Sequence, residues 1–109
     1  MIIDLRTYTL YPGKLGEWLR LYREHGYPLQ TRFLGEPIFF STTDVGELNQ
    51  AVHAWWYPSQ AERERRRAEL ELHPPWVEYR ALSARASLIQ RQENKLLSVL
   101  DWSPARFAP

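Results

Sequence analysis

At 109 residues the chain has room for one small domain, which by itself buries only a modest share of its surface. Five Trp, six Tyr and four Phe make 14 % of the chain aromatic, more than a thin two-layer monomer easily covers, so a homodimer or higher homo-oligomer is expected. A net charge of +1 offers no electrostatic reason to expect nucleic acid or an anionic membrane as partner, and the absence of cysteine excludes disulfides, thiolate catalysis, iron–sulfur clusters and Cys-type zinc sites.

The first segment, IIDLRTYTL from Ile2, is rich in β-branched and aromatic residues and reads as a strand that Pro12-Gly13 ends. It has neither a basic leader nor an apolar run of membrane-spanning length, so a soluble cytoplasmic protein is expected. Leu15, Trp18, Leu19 and Tyr22 then recur at helical spacing and mark a core face. His25-Gly26 reads as the end of this helix, the glycine supplying a left-handed cap, and Pro28 starts a further turn running to Leu34. Residues 35–43, around Ile38, Phe39 and Phe40, form a second strand, and Asp44-Val45-Gly46 turns it back into a third.

That third strand is contained in LNQAVHAWWY, and it is followed at once by Ser59, placed three residues before Glu62 as a capping box. The helix from Ser59 to Leu72 is strongly charged; Ala61, Ala68 and Leu72 are expected to form its inner face. Glu62 with Arg66 and Arg67 with Glu71 are spaced to pair across the outside. Acidic residues interrupt the basic run RERRR, so it reads as a solvated face and not as a nucleic-acid site. Pro74 can open a last helical segment through Trp76, Tyr79 and Leu82, and residues 86–97 read as the final strand. Residues 98–109 are a tail whose Trp102 and Phe107 are expected to dock on the domain or at the dimer interface, leaving residues 1–97 as the domain.

Strand, helix, strand, strand, helix, strand is the α+β, ferredoxin-like βαββαβ arrangement, an antiparallel sheet with helices on one face. Its first and third strands lie at the centre. Two such sheets packed bare face to bare face would close a dimeric α/β barrel. Alternation assigns Ile3 and Leu5, with Val52 and Ala54, to the helix-facing side, which leaves Arg6 and His53 on the face turned away from the helices.

The segments LRTYTLYPGKLGEWL from Leu5, LNQAVHAWWYPSQAERERRR from Leu48 and QENKLL from Gln92 together resemble the NIPSNAP family of the dimeric α/β barrel superfamily, over residues 2–97. The resemblance implies that fold and a homodimer, and implies no reaction.

The candidate chemistry is sparse. His53 is the one histidine on a predicted strand, a candidate catalytic base or, in its plainer role, a hydrogen-bonded core residue. Arg6 and Tyr8 are candidates for gripping a carboxylate or carbonyl, with Trp55 and Glu93 as further ligand-binding candidates. Arg6 has the alternative of pairing with Asp4 or Glu93. Trp55 and Trp56 must point to opposite faces, one beneath the helices and one toward the barrel or interface. The three histidines lack ligand spacing, and no phosphate loop, nucleophile elbow or dinucleotide fingerprint occurs, so neither metal nor cofactor is expected. Two functional classes remain. One is a dimeric small-molecule binding or accessory module; the other is a cofactor-independent enzyme of monooxygenase or isomerase type, with His53 as base and Arg6 as anion stabiliser.

Overall fold

The computed structural model describes residues 1–104. Strand β1 (Ile2–Leu10) leads into α1 (Leu15–Leu21), a π-helical turn (Tyr22–Gly26) and α2 (Tyr27–Leu34). Strands β2 (Phe39–Thr42) and β3 (Gln50–Tyr57) form a hairpin, and α3 (Gln60–Leu72) and α4 (Pro74–Ala86) lead to β4 (Ile89–Ser98). The strands form one antiparallel sheet in the order β2-β3-β1-β4, so β1 and β3 are central. The helices cover one face only, and the body measures 41 × 37 × 19 Å, the thickness of one sheet and one helix layer. This is the expected α+β, ferredoxin-like fold.

The register sorts every strand residue onto a face. Arg6 lies between His53 and Asn94, Asp4 between Trp55 and Leu96, and Tyr8 between Ala51 and Gln92. The intervening rows join Ile3 to Trp56 and Leu97, and Leu5 to Ala54 and Lys95. The expected alternation holds, but its sense is reversed. Asp4, His53, Trp55 and Tyr57 are buried beneath the helices, the His53 ring meeting those of Phe40 and Tyr8, and Tyr8 in turn meeting Trp18 of α1. The face turned away from the helices therefore carries Ile3, Leu5 and Val52, not Arg6 and His53. The reason lies in α3. A buried carboxylate needs cationic partners, and the helix layer supplies them.

Helix α3 starts as expected, the Ser59 hydroxyl accepting from the Glu62 amide at 3.1 Å. The Glu62 carboxylate does not return the bond but takes Arg65 and, at i+4, Arg66. The expected inner face is wrong. Ala61 and Ala68 are exposed and Leu72 is 81 % exposed, whereas Leu70 is buried and Arg63, Arg66 and Arg67 turn inward with it. Arg63 Nε and Nη2 both reach Asp4 Oδ2 at 3.1 Å. Arg66 donates to the Leu34 carbonyl and lies over the Tyr57 ring. The basic run is thus half inside the domain and not a purely solvated face. Arg67 does not pair with Glu71; Glu71 binds Arg80 of α4 instead.

Two boundaries also differ from expectation. Gly26 is right-handed (φ −88°), and the chain stays helical through it instead of stopping at a left-handed cap. A Cβ there would come within 2.8 Å of both Tyr22 and Tyr79, so close ring packing, not backbone freedom, requires the glycine. At the far end, α4 runs through Ala86, and Ser87 takes the left-handed cap (φ 54°), so β4 opens only at Ile89. Trp102 is 78 % exposed; Phe107 lies outside the described residues.

Candidate functional site

Between the sheet and the helices lies a cavity of about 380 Å³. Its aromatic wall is formed by Trp18 and Tyr22 of the first helical segment and by Trp76 and Tyr79 of α4. The helical spacing of Trp18 and Tyr22, and again of Trp76 and Tyr79, aims each pair at the sheet. The π-helical turn inserts one residue into the first helix, a distortion common beside functional sites. Here it lets Gly26 approach Tyr79 closely, and Tyr22, placed at its start, donates its hydroxyl proton to buried Gln30. The sheet contributes Arg6, Tyr8 and Gln92 as the floor; α3 adds Arg67 and Glu71, and α4 adds Arg80 and Ser83.

The electrostatics favour negative charge. Asp4 is fully buried and binds both Arg6 and Arg63, with Asn94 donating to its second oxygen at 3.4 Å. One carboxylate thus serves two guanidiniums. Arg6 also donates through Nε to the Tyr8 hydroxyl at 3.1 Å. Glu71, the carboxylate of the cavity wall, is occupied by Arg80. Burial raises the pKa of the Tyr22 hydroxyl and pushes that of Tyr79 up to about 12, so both stay protonated.

Of the residues singled out in the sequence, Arg6 and Tyr8 line this cavity. His53 and Trp55 lie on the same sheet face but do not line it, and Glu93 sits on the opposite face in the row of Thr7. His53 has the geometry of the core residue and not of a base. Its Nδ1 accepts a 2.7 Å bond from the Trp55 indole, so Nε2 carries the proton and no lone pair remains to take another. Burial and the nearby Arg6 lower its pKa to about 3, keeping it neutral. Among the described residues no three of His, Asp and Glu converge as a metal site would require.

Sequence reasoning missed Arg67 and the two aromatic pairs as site residues. Trp18 and Tyr22 were legible only as core. Arg67 was hidden in a charge run, although Arg63, Arg66, Arg67 and Leu70 share the i, i+3, i+4, i+7 spacing of an inward stripe.

Solved structures place this architecture among known proteins. A NIPSNAP family protein from Agrobacterium tumefaciens is 36 % identical, superposes with a TM-score of 0.86 and is covered over 98 % of its chain by 96 % of this one. An antibiotic biosynthesis monooxygenase superposes at a TM-score of 0.61 over 92 % of this chain and 99 % of that one; at 17 % identity this likeness concerns the fold alone. In sequence, the NipSnap homolog of Dictyostelium discoideum is 37 % identical over 75 residues, 69 % of this chain and 33 % of that protein. The chain spans less than half the length of the curated relatives it matches. No helix among the described residues is long and apolar enough to cross a membrane. The NIPSNAP family model matches residues 3–104 and thereby takes in all four strands and every helix that builds the cavity, so the chain belongs to the NIPSNAP family.

Proposed function

We propose that this protein is a homodimeric module that binds a small organic molecule in the cavity between its sheet and helices. The observation that carries the reading is the composition of the cavity wall. Where a domain of this size ordinarily packs aliphatic side chains, aromatic rings and arginines surround about 380 Å³ of space. The wall suits a flat or apolar body with one polar end, held by rings on the helix side and by Arg6, Tyr8 and Arg67 on the other. An enzymatic role with His53 as base draws no support from the geometry, because its acceptor nitrogen is already bonded to Trp55.

Dimerisation through the bare sheet face belongs to the same reading. Ile3, Leu5, Phe39 and Leu97 form an apolar band there, Phe39 and Leu97 being 44 % and 40 % exposed. Lys95 and Glu93 lie in neighbouring rows of that band, so a two-fold partner can place one copy's lysine against the other's glutamate. A second copy is the occupant that fits. The exposed Trp102 is positioned after β4 to extend the contact.

Trp18 and Trp76 in the wall provide the test. Titrating the protein with small aromatic and aliphatic compounds, carboxylates, amides and amines alike, is expected to change tryptophan fluorescence saturably for some of them. Ser83→Trp, which sets a ring into the cavity from a half-buried position of α4, is expected to abolish the response. Silence across the whole set, or binding that survives Ser83→Trp, would overturn the reading.

A further inference from the structure

We infer that the molecule held in this cavity carries a carboxylate, and that Arg67 is the residue that recognises it. The inference rests on the small-molecule reading above and adds the chemical class of the ligand. Its first support is a count of charge. The cavity wall carries the guanidiniums of Arg6, Arg67 and Arg80 and the carboxylate of Glu71, and behind Arg6 lies Asp4 with Arg63. Three of the four cations are paired. Asp4 binds Arg6 and Arg63, and Glu71 binds Arg80, while no carboxylate among the described residues pairs with Arg67. Its guanidinium lies beside the Tyr57 hydroxyl, a neutral neighbour that does not compensate its charge.

The second support is the wall itself. Trp18 and Trp76, 1 % and 5 % exposed, turn ring carbon to the cavity, since their indole nitrogens are closed off from it. Beside these rings the unpaired Arg67 guanidinium is the group of the wall that calls for an acceptor on the ligand. Two of the acceptors already present are committed. The Gln30 carbonyl takes the Tyr22 hydroxyl, and the Glu71 carboxylate takes Arg80. A carboxylate offers two oxygens in one plane, the geometry that a guanidinium fork matches, and the four aromatic rings fix a flat body attached to it. A phosphate would present a more compact, more highly charged group, for which one unpaired guanidinium beside aromatic rings is a poor match.

The inference is tested with matched probes: 2-naphthoate and 2-naphthamide, octanoate and octanamide. Each is titrated against the full chain while tryptophan fluorescence and calorimetric heat are recorded. In at least one pair the acid is expected to bind about tenfold or more tightly than its amide, as a charge-assisted contact in a partly dry site requires. Its affinity should fall with added salt, and the amide's should not. Arg67→Gln is expected to bring acid and amide together, and Arg67→Lys to restore part of the preference. Arg65→Gln removes the same charge from the outer side of α3, where Arg65 binds Glu62 and Glu69, and should leave the preference intact. Amides binding as tightly as their acids would overturn the carboxylate inference while leaving the cavity reading in place. So would Arg65→Gln and Arg67→Gln weakening the acids equally, since bulk charge would then explain the preference. Absence of binding by all four, with binding of amines or other neutral compounds in the wider set, would also overturn it. Should Arg67→Gln fail to fold, the acid-to-amide ratio and its salt dependence in the unmodified protein decide the matter by themselves.

Discussion

The two faces of the sheet are made by alternate residues of the same strands, yet they have opposite chemistry. Beneath the helices lie Asp4, Arg6, Tyr8 and His53; on the face turned away lie Ile3, Leu5, Val52 and Leu97. In a self-sufficient monomer the aliphatic rows would be inside and the ionic rows outside. The inversion puts an ion-paired, aromatic layer beneath the helices and leaves an aliphatic band on the bare face, which under the proposed dimer would be covered by a second copy. Burial in the inner layer is secured by ion pairs and ring packing, which are directional and leave a cavity, while the non-directional aliphatic area lies on the face without helices.

The contrast breaks most completely at the outer face. Leu5→Arg places a charge at the centre of the aliphatic band, and light scattering should then report the single-chain 13.0 kDa in place of a dimer mass. A monomer already present in the unmodified protein at micromolar concentration would remove the interface from the picture.

On the inner face the largest effect is expected at Asp4. Asp4→Ala strands Arg6 and Arg63 without their shared carboxylate and should lower the unfolding free energy by about 3–5 kcal/mol in denaturant titrations. A loss below about 1 kcal/mol would show that water reaches these arginines freely.

The same face should also respond to acid. His53 is held neutral with a pKa lowered to about 3, against an ordinary 6.5 in the unfolded chain. Between these values the unfolded state binds a proton that the native state refuses, so stability is full above pH 6.5 and falls as pH drops toward 3. The slope is about 1.4 kcal/mol per pH unit from this one group. His53→Gln keeps an acceptor for Trp55 and should flatten that part of the profile; parallel profiles for the two proteins would place water beside the ring.

Smallest is the change that touches neither face. Ser59→Ala removes the acceptor for the Glu62 amide and should lower stability by about 1 kcal/mol, with dimer mass and ligand response unaltered. Melting curves that coincide with those of the parent would mean that the first turn of α3 is held by its packing alone.

Local patterns in the chain were sufficient for the element order, the hairpin, the Ser59 cap and the pairing of β1 with β3, because each depends on neighbours within a few residues or on the period of a strand. They were sufficient also for the family, and they singled out Arg6 and Tyr8, which line the cavity. They misled about α3. Ala61, Ala68 and Leu72 look like an inner face by hydropathy, but the arginines are turned inward by Asp4, 59 residues away from Arg63 in the chain.

The strand period determined which residues travel together, Asp4 with Arg6 and Tyr8, and His53 with Trp55, and this holds whichever side the helices take. Which side they take was settled only in three dimensions. A period of two has no sign, and the sign came from long-range satisfaction of a buried carboxylate by Arg63, ring packing of Tyr8 on Trp18, and close contact of Gly26 with Tyr79. Those contacts put Arg67 into the cavity wall and took His53 out of it.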